Sequence, residues 1–125
     1  MAVLNVTPML AVADIDAAAK FLIDCLGFDL GVRMEGYAYM RSGNGGIRLI
    51  EAEPGCDMDD PARQHIVYID VDDVDALYAA HQSAIEALPE THFRAPFNQP
   101  YNQREFHLIH GPFLFMVGQD LTEVE

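Results

Sequence analysis

Apolar residues along this chain switch between two rhythms, and they do so twice in the same order. From Asn5 to Val12 the chain is an apolar-rich run compatible with a strand. Ile15, Ala18, Ala19, Leu22, Cys25 and Leu26 then fall at the three- and four-residue spacing that gathers side chains on one helical face. Asp14 stands where an N-cap carboxylate can accept the free amides of the first turn. Gly27 stands where a left-handed residue ends a helix. Strand-like stretches follow at Phe28–Arg33, Tyr37–Arg41 and Ile47–Ala52, with Gly43-Asn44-Gly45-Gly46 as the turn between the last two.

The second half repeats the order. Val12-Ala13-Asp14-Ile15-Asp16-Ala17 returns 59 residues later as Val71-Asp72-Asp73-Val74-Asp75-Ala76, and a two-copy signal of this kind predicts a doubled module. Glu53 to Gln64 carries two prolines, one glycine and four acids, and reads as the linker. His65–Val71 is strand-like, Asp73 repeats the capping role, and Val74, Leu77, Tyr78, His81 and Ile85 form a helical stripe closed by Pro89. Three further strands are expected near Phe93–Phe97, Arg104–Ile109 and Phe113–Gly118, and an acidic, frayed tail over Asp120–Glu125. The expected fold is α+β: two βαβββ modules in tandem, about 5–53 and 64–119, forming curved mixed sheets around a cleft within one domain, 1–125.

Composition narrows the setting. At 125 residues, half of them hydrophobic, one domain can bury its own core without staples. Cys25 and Cys56 are too few for a disulfide scaffold, so reduced thiols and a cytoplasmic location are expected. Pro8, Asp14 and Asp16 interrupt the N-terminal apolar run, so no signal peptide is expected. No apolar stretch approaches the ~18 residues of a membrane span. The net charge of −13 argues against nucleic acid or an anionic membrane as partner and favours cationic ligands.

The residues that mark the modules also carry a family likeness. Pro8-Met9-Leu10-Ala11-Val12-Ala13-Asp14, then Phe21, then Leu26-Gly27-Phe28 resemble the opening motif of the vicinal oxygen chelate superfamily, which holds glyoxalase I, extradiol dioxygenases and the fosfomycin- and bleomycin-resistance proteins. Leu22 stands where that motif has Tyr. Val71-Asp72-Asp73-Val74-Asp75-Ala76-Leu77 and Arg104-Glu105-Phe106 resemble the bleomycin-resistance branch. Ile109-His110-Gly111-Pro112 replaces the Asp-Pro-Asp-Gly usual between the last two strands. The branch resemblance implies a homodimer with a ligand groove between chains.

Metal-dependent relatives hold a divalent ion with His and Glu from four strands. Carried over from the Val-x-Asp anchors, those positions fall on Thr7, Arg48, Ile66 and Met116. None is a usual ligand for a hard or borderline cation, and Arg48 would put a positive charge where the metal sits. The expectation is therefore no metal and no cofactor. A register slipped by one residue would bring in His65, with Glu51 and His107 as companions.

The resemblance implies that one face of each sheet lines the pocket, and strand alternation then offers Thr7, Met9, Tyr39, Arg48, Ile50, Ile66, Tyr68, Arg104, Phe106, Leu114 and Met116. Apolar walls with a few polar groups suit a binding pocket. The residues expected to bind ligand are Tyr39, Arg48, Ile50, Tyr68, Tyr101, Arg104, Phe106 and Met116. Tyr101 stands where many relatives carry a Trp-Gly-x segment, and offers a ring for stacking; the competing reading is a rigid connecting loop between Phe97 and Tyr101. If Phe106 faces the cleft, His107 faces the helices. Ser42 and Ser83 belong to no nucleophile motif, and Gly43–Gly46 opens no helix, so no phosphate loop is expected. No catalytic residue is assigned, and acid–base chemistry by Glu105 or His107 stays open. The reading that results is a non-metal binder of a small molecule, antibiotics included, acting by sequestration. The alternatives are a metal-dependent lyase or dioxygenase, and a structural subunit with a vestigial cleft.

Overall fold

A computed structural model describes residues 1–122. They form two compact units, the first Met1–Asp57 and the second from Met58 onward. The last three residues of the expected acidic tail lie outside the described residues.

The first unit runs β1 (Met9–Val12), α1 (Ile15–Leu26), β2 (Asp29–Met34), β3 (Tyr37–Ser42) and β4 (Gly45–Glu51). Its sheet has the order β1-β4-β3-β2, with β1 parallel to β4 and the other pairs antiparallel. Alternation decides the faces. Leu10, Val12, Ala38, Met40, Ile47 and Leu49 are buried, as are Ile15, Ala18, Ala19, Leu22, Cys25 and Leu26 of the helix. Asp14 Oδ1 accepts from Ala17 N at 3.1 Å, and Gly27 takes φ 72° at the C-cap. Both ends of the helix therefore stand where the sequence puts them. The first strand is shorter than expected, starting at Met9 rather than Asn5. Pro8 has no N–H to extend the ladder; its carbonyl accepts from Arg48 N at 2.9 Å, and pairing begins there. The turn is Gly43-Asn44, because Gly45 already pairs with Ser42.

The second unit runs β5 (His65–Asp70), α2 (Val74–Ala80), α3 (Gln82–Glu86), β6 (Phe93–Gln99), β7 (Gln103–His110) and β8 (Phe113–Asp120). Its order, β5-β8-β7-β6, reproduces that of the first sheet. Asp73 Oδ1 accepts from Ala76 N at 3.1 Å. The two copies of the repeat thus start their helices with the same capping bond. The second aspartate of each copy is also used alike: Asp16 accepts from Arg33 Nε at 2.9 Å, and Asp75 from Arg104 Nε at 3.0 and 3.1 Å.

Where one stripe is expected from Val74 to Ile85, the helix breaks. His81 N bonds the carbonyl three residues back, on Tyr78, and this tighter closure ends α2. Val74, Tyr78 and Ile85 are buried on either side of the break.

Strand β7 turns out opposite to expectation. Phe106 and Leu108 are fully buried, and Phe106 meets the Tyr78 ring of α2 edge-on at 5.3 Å. Arg104 lies on the same side, ion-paired to Asp75 of α2. Glu105 and His107 therefore occupy the open face. The physical reason is that one parity of this strand carries two apolar side chains, Phe106 and Leu108, against Ile109 alone on the other, and gains most by burial under the helix.

Candidate functional site

Each unit presents the sheet face turned away from its helix, and each face carries a small polar assembly in apolar surroundings. On the first, Tyr39 and Arg48 are direct partners across β3 and β4, as are Tyr37 and Ile50. Arg48 Nη1 donates to Tyr37 Oη at 2.6 Å, and its guanidinium lies 5.2 Å from the centre of the Tyr39 ring. Met9, beside Arg48 on β1, is exposed. Tyr39 lies across Gly46; a Cβ there would overlap Tyr39 Oη and stand 2.7 Å from Cζ. This face contributes cation and phenol to whatever meets it, with Ile50 half-buried between.

On the second, the centre is Glu105, the one charged side chain that is fully buried among the described residues. Its Oε2 accepts from Tyr101 Oη at 2.7 Å and from Tyr68 Oη at 2.9 Å. Its Oε1 accepts from Gln99 Nε2 at 3.1 Å and lies 2.8 Å from His107 Nε2. Burial by itself would raise the pKa of this carboxyl. The hydrogen bonds from His107, Tyr101, Gln99 and Tyr68 together outweigh it and bring the value from 4.5 down to about 2. Glu105 is thus an ionised, acceptor-only group at neutral pH, and the His107 nitrogen facing it carries the proton. Tyr68 has its own pKa raised, first by burial and then by the bond to Glu105. Tyr101 has its pKa raised first by that bond. Both phenols stay protonated and donate.

Local structure explains how the groups meet. Gln99 pairs with Gln103 across a three-residue turn, Pro100-Tyr101-Asn102, in which Asn102 takes the left-handed φ of 62°. The turn folds the Tyr101 phenol back over Glu105. Tyr68 reaches the same carboxylate across β8, and only because residue 118 is glycine: a Cβ there would overlap Tyr68 Oη and stand 2.6 Å from Cζ. His107 in turn meets Phe97 edge-on at 5.0 Å, and the Arg94 guanidinium lies 3.5 Å over that Phe97 ring.

Two depressions lie on the same unit, and the shallower reaches His107. A depression of about 510 Å³ is lined by Pro61, Gln64, His65, Ile66, Ile109, Gly111, Pro112, Phe113 and Leu114. A shallower one, about 150 Å³, shares Ile109 and Leu114 and extends to His107, His92 and Arg94. The larger falls in the range of small-molecule sites.

The residues expected to bind ligand therefore divide. Tyr39, Arg48 and Ile50 share the open face of the first sheet. Tyr68 and Tyr101 converge on Glu105, and Met116 pairs with Tyr68 and His107 on the open face of the second sheet. Arg104 and Phe106 are on the helix side, a correction to the sequence expectation. Glu105, Tyr37, Gln99 and His107 are the members that reasoning from sequence did not place in the site. The signal for Glu105 was present: Phe106 and Leu108 alternate with Glu105 and His107, and the apolar pair marks the core side.

The positions that hold metal in metal-dependent relatives do not fit such an ion. Thr7, Arg48, Ile66 and Met116 offer one hydroxyl, one cation, one hydrocarbon and one thioether, and Arg48 already donates to Tyr37. Among the described residues, no three His, Cys, Asp or Glu side chains gather as a metal site requires. His65 is exposed and stacks with Phe113, their ring centres 6.1 Å apart.

A doubled βαβββ unit whose open sheet faces combine apolar walls with a few fixed polar groups defines a class of protein. The chain belongs to the Glyoxalase/Bleomycin resistance protein/Dioxygenase superfamily, whose family model matches residues 5–113. Among solved structures it is similar to a bleomycin resistance determinant encoded on the transposon Tn5, at TM-score 0.74 and 24% identity over 94% of this chain and 98% of that one. It is similar also to the bleomycin-binding protein of bleomycin-producing Streptomyces verticillus, solved with copper(II)-bleomycin, at TM-score 0.73 and 22% identity over 98% and 99% of the two chains. A lactoylglutathione lyase from Agrobacterium tumefaciens shares the fold at TM-score 0.65 and 18% identity over 90% of each chain. A search of curated proteins found no match. Among the described residues, no helix is long and apolar enough to cross a membrane.

Proposed function

We propose that this protein binds a small molecule on an open sheet face and acts by sequestering it, without a metal and without chemical turnover. The observation that carries the reading is the Glu105 assembly, a buried and fully bonded carboxylate that fixes two exposed phenols on the open face of the second sheet. Preorganised polar groups next to apolar walls favour binding, because little ordering remains to be done when the ligand arrives. Arg48 with Tyr37 and Tyr39 forms a separate polar set on the open face of the first unit's own sheet. The fold likeness to a bleomycin resistance determinant and a bleomycin-binding protein makes bleomycin the first ligand to try.

The net charge of −13 raises the encounter rate with cationic ligands. Cys25 and Cys56, not joined in a disulfide, suit a reducing cytoplasm. A homodimer, as in the branch the sequence resembles, completes the proposal. Thermal unfolding with bleomycin and other antibiotics tests the binding. A ligand at a hundredfold excess over its dissociation constant stabilises by about 2.7 kcal/mol, and a melting temperature unmoved by any of them counts against the reading. Light scattering of the eluted protein reports whether it is a dimer. Salt-independent association would remove electrostatic steering.

A lyase or dioxygenase is the competing reading, kept by the fold likeness to the lactoylglutathione lyase. It requires near-stoichiometric metal in untagged protein that falls when His65 becomes Ala, and mass spectrometry of digested protein decides between the two.

A further inference from the structure

The proton bookkeeping of the Glu105 assembly selects a class of ligand. Glu105 is an ionised carboxylate with no proton to give, so each phenol facing it must be the donor. Tyr101 has a single O–H, and it is committed to Oε2 at 2.7 Å. Tyr68 Oη lies 2.9 Å from the same carboxylate oxygen and 3.0 Å from Gln103 Oε1. Its one proton goes to the charged acceptor, which forms the stronger bond. What both phenol oxygens have left to offer is lone pairs. Their residues are nonetheless open to solvent, Tyr68 at 38% and Tyr101 at 54%.

The charge beneath them has the same sign of preference. The four groups bonded to Glu105 are two phenols, an amide and an imidazole, and none is a lysine or arginine. Asp70, on the strand of Tyr68, adds its field. Two exposed aromatic residues, two phenol oxygens left as acceptors and a buried negative charge form a receptor for a cation that carries N–H donors. Carboxylates and phosphates would meet lone pairs and like charge.

We propose that the Tyr68–Tyr101 pair, polarised by Glu105, is the subsite for an N–H-bearing cationic group of the ligand, an alkylammonium or amidinium, and that Glu105 is its positioning residue. This deepens the binding reading above and rests on it for its biological meaning. The chemistry of the subsite is testable without knowing the natural ligand.

Three probes of one shape separate charge from donor capacity: phenethylammonium, phenethyltrimethylammonium and 3-phenylpropanoate. Each is titrated into the full chain with ¹³C-labelled tyrosine, and the ring resonances of Tyr68 and Tyr101 are followed. The expected result is saturable shifts from phenethylammonium, at least tenfold tighter than from 3-phenylpropanoate, and at least threefold tighter than from the trimethylated cation.

The variant Glu105→Gln keeps the shape and inverts the protons. Gln99 Nε2 needs an oxygen at the Oε1 position, so the new amide nitrogen faces the phenols and donates to them, turning their O–H bonds outward. The preference for phenethylammonium should fall at least fivefold. Should that variant fail to fold, Tyr101→Phe removes one acceptor at an exposed position and should weaken phenethylammonium at least threefold while leaving 3-phenylpropanoate unchanged. No saturable shift from any probe, equal binding of cation and anion, or unaltered preference in the folded variants would overturn the subsite. The binding reading is tested separately. An antibiotic that stabilises the protein while these tyrosines ignore all three probes leaves sequestration standing and removes the subsite. Selective phenethylammonium binding with no antibiotic bound does the reverse.

Discussion

The two modules share strand order, the aspartate N-cap of the helix and even the aspartate that ion-pairs to an arginine, yet their open faces solve opposite electrostatic problems. The first holds a cation, Arg48, exposed and steadied by one phenol below and one beside it. The second holds an anion, Glu105, without any solvent contact and bonded by four groups. The difference teaches that duplication conserves the scaffold and leaves the open face free to diverge. Caps and core alternation are needed by both copies to fold, while nothing in folding requires a particular charge on the uncovered side. It also ranks the two assemblies. A charge in water needs few partners and contributes little. A charge out of water must be fully bonded, and every partner becomes part of the fold.

The sharpest way to break the contrast is Glu105→Leu. It takes away the charged acceptor shared by two phenols, an amide and an imidazole, and hydrogen bonds to a charged group contribute about 1.5–3 kcal/mol each. A loss of at least about 3 kcal/mol in urea unfolding is expected, and a loss under about 1 kcal/mol would show that the assembly carries no structural weight.

Acid sharpens the same point without mutation. Glu105 has its folded pKa depressed from 4.5 to about 2. Between those values the unfolded chain binds more protons than the folded one, so this contribution is complete above about pH 5 and is lost as pH falls toward 2. Unfolding free energies measured from pH 6 to pH 2 should decline in the wild type, and Glu105→Gln should remove part of that decline. A variant with an identical pH profile would contradict the assignment.

A pair of glycines allows a like-for-like test. Gly118→Ala forces Tyr68 off the carboxylate, and Gly46→Ala forces Tyr39 off its strand. The first breaks a bond to a buried charge and should cost about 1–3 kcal/mol. The second displaces a ring whose hydroxyl end can swing away, and should cost less than the first. Equal effects would erase the distinction between the faces.

The smallest effect is expected at the exposed cation. Arg48→Ala should change stability by no more than about 0.5 kcal/mol, the usual range for a surface position. Its consequence belongs in ligand affinity, read by calorimetry with whichever antibiotic stabilises the protein.

Much of this was legible in the chain. The doubled Val-x-Asp-x-Asp-Ala segment, the helix caps at Asp14, Asp73 and Gly27, and the eight strands follow from local chemistry that each residue carries with it. Tyr39, Arg48, Ile50, Tyr68 and Met116 followed from alternation and stand on open faces. Arg104 and Phe106 did not, because a strand with an aromatic on one parity and two polar groups on the other was given the wrong face. The break at His81 left no mark either, since no glycine or proline signals it.

What the sequence by itself determined is the plan: two βαβββ units, their starts and stops, and the family to which they belong. Periodicity and capping act over a few residues, so they survive in a string of letters. Only the tertiary structure decided that Glu105 is buried, ionised and shared by Tyr68, Gln99, Tyr101 and His107. That assembly joins β5, β6, β7 and a hairpin turn, and it needs a missing side chain at Gly118 on β8. Its members meet only when strands distant in sequence pair in register, and no local rule carries that information.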